Sequence, residues 1–262
     1  MGIVISFRTI LPLRPVAVWS LGAVLLLGAG FQTLQAQDDA WIYYFPHLAV
    51  GAKWQTTITY INYSSAQVVC KTDFISDHGG PLLVSFPGKG MVESRTDILP
   101  PGGAVHEETD VALSGPLAPG WARATCSEPV KASLLFRQYN SQGEPVAEAG
   151  VNAAAAPAKR FVTFAEQAAG KTGTGVAYAN PSASNTASVF FTARNTAGDM
   201  LSSVVRTLLP GGHDAQNVSA LFGFTSFTGS LEVTSTEPIV SLSLNFEAAP
   251  VFSSLPPGEV NP

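Results

Sequence analysis

Between residues 67 and 76 the chain alternates, with Val68, Cys70, Thr72 and Phe74 on one parity and Lys71 and Asp73 on the other. A period of two marks a half-buried strand whose apolar parity faces a core. Segment 54–62, rich in Thr and carrying Trp54 and Tyr60, suits the same pleated surface. Segments 82–86, 91–99, 121–126 and 130–139 continue the series. Turn residues bound them: Asp77-His78-Gly79-Gly80, Pro100-Pro101-Gly102-Gly103 and Glu128-Pro129. In 121–126 parity sets Ala122, Ala124 and Cys126 on the core face and Trp121, Arg123 and Thr125 on the other. No segment sustains a helical period, and 218–222 allows one helical turn.

This succession occurs twice. GWARATCSEPV at 120–130 returns as GSLEVTSTEPI at 229–239, and LPPGG at 99–103 returns as LPGG at 209–212. Gly120 to Gly229 and Gly102 to Gly211 span the same 109 residues, and two motifs sharing one offset indicate a duplication. TTITYINY at 56–63 is answered by TGVAYANP at 174–181, so Tyr178 matches Tyr60 and Asn180 matches Asn62. That offset is 118, which places hairpins of unequal length before the glycine turns. Segments 187–194 and 200–209 complete the second copy, in which Ser235 stands where the first has Cys126.

Short strands between turn residues predict an all-β chain of two tandem Greek-key, immunoglobulin-like β-sandwich domains. The first covers 37–152 and the second 161–250. An alanine-rich linker at 153–160 separates them, and 251–262 reads as a flexible tail. The motifs at 174–181, 209–212 and 229–239 resemble an uncharacterised repeat domain found in secreted and cell-surface bacterial proteins, often at the end of longer chains. The first copy fits more loosely, with Thr57 for Gly175 and Tyr63 for Pro181. These are turn and core positions, so the resemblance implies a fold and an address and carries over no catalytic residue.

Composition adds the address. Arg8 and Arg14 precede an apolar run from Pro15 to Phe31, and Gln35-Ala36 leads into polar Gln37-Asp38-Asp39. This reads as a secretory signal peptide over 1–36, cleaved near Ala36. The alternative is an uncleaved anchor, because about 17 apolar residues is the lower limit for spanning a bilayer. Loss of the signal takes two of the 14 basic residues and no acidic one, leaving 12 against 19 and a net charge of −7. An acidic chain without a Lys/Arg cluster lacks the positive footprint that nucleic acid or anionic lipid demands. No membrane contact is expected beyond the signal segment.

Cys70 and Cys126 are the only cysteines, and both fall on inferred core faces of an exported chain. They are expected to form a disulfide that closes a loop in the first copy alone. His47, His78, His106 and His213 show no metal-ligand spacing and read as solvated turn or strand-edge residues. Asp73, Asp77 and His78 lack the alternating oxygens of a calcium loop. The serines lack a Gly-x-Ser-x-Gly elbow, and the acidic run Glu107, Glu108, Asp110 has no counterpart in the second copy. Glu128 and Glu237 recur before prolines, as turns that aim the last strand. Asn62 and Asn217 match the glycosylation acceptor pattern. Neither catalytic residue, metal site nor cofactor is expected, and a hydrolase with an unrecognised site ranks third. Aromatics carry the remaining lead: Trp121, Phe222, Phe224 and Phe227 are the candidate contacts for an unknown protein or glycan. The expected function is an exported, non-enzymatic structural or interaction module of the cell envelope or extracellular space. A carbohydrate-binding or adhesion module using exposed aromatics is the second reading.

Overall fold

A computed structural model describes residues 40–248, 251–255 and 257–260. The signal segment lies outside them. The first copy runs β1 (Trp41–Val50), β2 (Trp54–Ile61), β3 (Val68–Ser76), β4 (Val84–Phe86), β5 (Gly90–Val92), β6 (Ser94–Leu99), β7 (Ala104–Glu108), β8 (Ala118–Cys126), β9 (Lys131–Tyr139) and β10 (Pro145–Asn152). The second runs β11 (Ala158–Ala168), β12 (Thr172–Ala179), β13 (Ala187–Asn195), β14 (Met200–Leu208), β15 (His213–Asn217), α1 (Val218–Phe222), β16 (Ser226–Phe246), β17 (Phe252–Leu255) and β18 (Gly258–Glu259).

The chain is all-β and sandwich-like. In the first copy β1-β8-β3-β6 form one antiparallel sheet and β10-β9-β2-β7 the other, with β4 and β5 as a separate hairpin. The second copy repeats the main pairings of the two first-copy sheets. β11 pairs β16 as β1 pairs β8, β13 lies between β16 and β14 as β3 lies between β8 and β6, and β12 lies between β16 and β15. One strand, β16, does the work of both β8 and β9. Residues 226–235 pair with β11 and β13, and 240–246 pair with β12. The break at Glu128-Pro129, where the first copy moves from one sheet to the other, is thus matched by an uninterrupted strand through Glu237-Pro238.

The repeated asparagines explain why the motifs travel together. Asn62 is fully buried, and its Nδ2 donates to the carbonyls of Ala66 (2.7 Å), Leu99 (3.3 Å) and Pro100 (2.9 Å). Asn180 donates in the same way to Asn185 (2.7 Å), Leu208 (3.4 Å) and Leu209 (3.1 Å). Each backbone N–H also donates to the second glycine of its turn, Gly103 or Gly212, at 2.8 Å. Gly102 (φ 66°) and Gly211 (φ 70°) supply the left-handed backbone that these turns need. A buried amide so engaged also removes Asn62 as a glycan acceptor in the folded chain.

The disulfide forms as expected: Cys70 on β3 lies directly opposite Cys126 on β8, with Cα atoms 4.0 Å apart. It joins neighbouring strands of one sheet. Val189 and Ser235 hold the equivalent pair in the second copy. At the edge shared by the two first-copy sheets, Arg95 on β6 is buried against Asp97 and reaches Glu107 on β7 at 3.2 Å. Its guanidinium also lies 4.8 Å over the Phe86 ring. Glu107 and Glu108 therefore serve as ion-pair partners, the latter 3.3 Å from Arg137.

The expected separation into two units with a free linker and tail does not describe the packing. The described residues of both copies form one compact unit. Ala177, Leu242, Leu244 and Phe252 of the second copy belong to the same apolar cluster as Phe45, Ile58 and Phe136 of the first. The alanine-rich stretch is stitched down where Ala154 exchanges two backbone hydrogen bonds with Tyr44, and β11 starts at Ala158. The supposed tail supplies β17 and β18, and Phe252 is 4% exposed. The reason is hydrophobic: outer faces that short strands leave apolar find cover on each other.

Replacing both cysteines by alanine should cost about 4 kcal/mol, the chain-entropy scale for a loop of this length. Because residues of the second copy are built into the core of the first, calorimetry is expected to show one lowered transition for both copies instead of a lowered first and an unchanged second.

Candidate functional site

The junction of the two copies collects the polar groups that the sequence scatters. Two turns meet there. Gly79 (φ 83°) of the first copy sits against Pro210 and Gly211 of the second, so close that a Cβ at Gly79 would run into the Pro210 carbonyl. His78 and Gly212 form an isolated antiparallel bridge, and His213 N–H donates to the Asp77 carbonyl at 3.1 Å. Trp121 Nε1–H donates to the Gly211 carbonyl at 2.7 Å.

This placement corrects the reading of Trp121 as a ligand platform. Its parity on β8 is as expected, opposite Ala122, Ala124 and Cys126, but the second copy covers that face and leaves it 2% exposed. It packs with Ala179 and Val240 of the second copy and with Tyr44, Ile75 and Ala154. Phe222, Phe224 and Phe227 do gather, with successive ring centroids 5.2 Å apart, but they stack against the core of the second copy and close its end. Phe227 is 5% exposed. The four aromatics therefore do not come together, and none stands free as a platform.

Of the four histidines, His78 and His106 are exposed as expected, whereas His47 and His213 depart furthest from expectation. Pro46 and His47 fall in an irregularity of β1, where the pairing with β8 shifts between Phe45 and Leu48. Such a bulge re-aims the side chain that it carries. His47 turns to the junction, stacks on His213 with centroids 5.1 Å apart and lies 5.6 Å from Phe136. A linear relay results: Asp77 Oδ1 to His213 Nδ1 at 2.8 Å, then His213 Nε2 to His47 Nδ1 at 3.1 Å. The His213 side chain is fully buried.

Donor logic orders this relay. A carboxylate only accepts, so His213 Nδ1 carries a proton. In the tautomer that leaves a lone pair on His213 Nε2, His47 Nδ1 donates to it and His47 Nε2 is left as an acceptor. Burial first, and then the electrostatic effect of neighbouring His213, lowers the His47 pKa from the ordinary 6.5 to about 3.

Beside the relay lies a cavity of about 280 Å³, walled by His47, His213, Trp54, Phe136, Leu244 and Phe246. A smaller one of about 120 Å³ shares His47, Leu244 and Phe246. Trp54 and Phe136 come from the first copy and Leu244 and Phe246 from the second, so the space exists only once the copies dock. No group of three or more metal-ligating side chains is assembled among the described residues. Sequence reasoning missed His47, Asp77 and His213 because 166 residues separate the two rings. The available signals were Asp77 and His213 flanking glycine turns, and their meeting depends on the docking. Comparison of the chain with family models, with curated proteins and with solved structures finds no match.

A histidine held neutral in the folded state takes up its proton only on unfolding. Between pH 6.5 and about 3 the unfolded chain thus binds more protons at this position, and stability falls as the pH falls through that window. The slope from one such group is at most about 1.4 kcal/mol per pH unit. Urea midpoints measured across this range should fall less steeply for His47→Gln than for the parent.

Proposed function

We propose that the chain is an exported, non-enzymatic structural or interaction module of the cell envelope or extracellular space. In this reading it is built from two tandem immunoglobulin-like Greek-key domains akin to the repeat domain of secreted and cell-surface bacterial proteins. The observation that carries it is the union of the copies into one body. A shared core, the stitched alanine stretch and the Trp121 to Gly211 hydrogen bond hold them, as suits an element that spaces or presents a surface. A disulfide between the two cysteines is compatible with an oxidising compartment. No helix among the described residues is long and apolar enough to cross a membrane. Partition and thiol state test the reading together. After fractionation of cells making the full chain, the protein should be recovered outside the cytoplasm with both cysteines unreactive to maleimide, and without activity on generic ester, peptide and glycoside substrates. Recovery in the cytosol with two free thiols overturns it, as does turnover of any of these substrates.

The adhesion reading gains a different pair of aromatics. Trp41 and Tyr63, 48% and 58% exposed, border a groove of about 490 Å³ that also includes Lys131 and Pro157. Lys131 Nζ lies 5.9 Å from the Tyr63 ring centre. Such a rim offers ring faces for a sugar to stack on. Where glycan arrays reveal binding, Trp41→Ala should weaken it by about 1–3 kcal/mol, whereas Phe224→Ala should leave it unchanged.

A further inference from the structure

We propose that the junction cavity is a binding site for a compact aromatic molecule, one or two rings in size, that donates one hydroxyl or N–H hydrogen bond to His47 Nε2. Size comes first. An apolar cavity of about 150 Å³ accommodates benzene, and about 280 Å³ leaves room for a fused second ring. The walls are suited to ring faces, with Trp54, Phe136 and Phe246 surrounding the space and Leu244 completing it. Leu117, which also lines the cavity, is 40% exposed and brings it to the surface.

The polar requirement is narrow because most of the polar groups around the cavity are already engaged. Asp77 Oδ1 is taken by His213, both ring nitrogens of His213 are used, and Asp214 accepts from Tyr178 Oη at 2.7 Å and from the Ala215 N–H at 2.8 Å. His47 Nε2 has no protein partner among the described residues, and the His47 ring forms part of the wall of both cavities. A guest that donates to this acceptor gains a hydrogen bond that one of equal shape without a donor lacks, so the site favours the donor. Asp77 sets this preference from two rings away. It holds a His213 proton on Nδ1, and in the tautomer with the lone pair on His213 Nε2 His47 donates from Nδ1 and accepts at Nε2. The lowered pKa of His47 keeps that ring neutral, so neither a carboxylate nor a phosphate finds a cation here. The bulge at Pro46 and His47 has no equivalent at residues 163–165 of β11, where the pairing with β16 is regular, and the second copy carries no histidine on that strand. The relay therefore belongs to the junction and not to the repeat.

Indole and benzothiophene test this, being alike in size and differing in the N–H. Each is titrated into the full mature chain at neutral pH while NMR follows the ring nitrogens of His47 and the indole resonance of Trp54. Indole is expected to bind saturably and shift both. Benzothiophene should bind about tenfold more weakly, the loss of one hydrogen bond to His47 Nε2. His47→Phe should bring the two affinities together, and Leu244→Trp, which fills the space, should abolish both. Absence of saturable shifts at Trp54 and His47, or equal affinities for the two compounds in the parent chain, overturns the proposal and leaves a water-filled void. The comparison within the parent protein stands even where a variant fails to fold. Failure here leaves the export reading intact, because that one is judged by location and thiol state.

Discussion

The approach of two glycine turns governs the rest of this molecule. Where Gly79 meets Pro210 and Gly211, backbone packs on backbone with no room for a Cβ on the first of them. That contact brings the carbonyl of Gly211 to the Trp121 indole and the carbonyl of Asp77 to the His213 amide. A side chain at Gly79 would push the copies apart and break both bonds at once. The left-handed backbone at both glycines adds to the constraint, since an L residue there is strained even in open space.

Once the copies are seated, polar and apolar groups divide the junction between them. The apolar share is large: Trp54 tilts against Phe252 at 5.1 Å, and Phe252 against Phe246 at 5.8 Å. This row ties the last described strands to the first copy and makes β17 a structural element. The polar share is a short relay whose members satisfy one another in order, from carboxylate to imidazole to imidazole. Buried His213 and half-buried His47 are tolerated because each bond has a donor and an acceptor, and because the outer ring stays uncharged.

The two copies keep one clasp and differ in their reinforcement. The Asn62 and Asn180 clasps are the same device, an amide that satisfies the carbonyls of the strand before the glycine turn. The first copy adds a disulfide and a buried Arg95–Asp97 pair braced by Glu107. The second has Val189 opposite Ser235, lacks the break before its last long strand, and closes its end with stacked phenylalanines. With no cysteine to cross-link it, it rests on packing, including the packing that it receives from the first.

Residue pattern alone determined the all-β class, the duplication, the core parity of Cys70 and Cys126 and the single helical turn at 218–222. These are local matters: alternation is read over a few residues, and a repeated turn must be spelled twice. The disulfide was legible for the same reason, since two inward cysteines in one copy have no other partner. Tertiary structure decided what the outer faces meet. Trp121 sits on the face that alternation assigns to solvent, and only the docked second copy makes it a buried donor. His47 is re-aimed by a bulge that no composition marks, and Asp77 and His213 reach it from turns in different copies. A linker rich in alanine and a tail rich in proline look free in sequence because their partners, Tyr44, β16 and β11, lie far away along the chain. Long-range contacts of this kind depend on which apolar surfaces remain uncovered after the strands form, and that is a property of the assembled sheets.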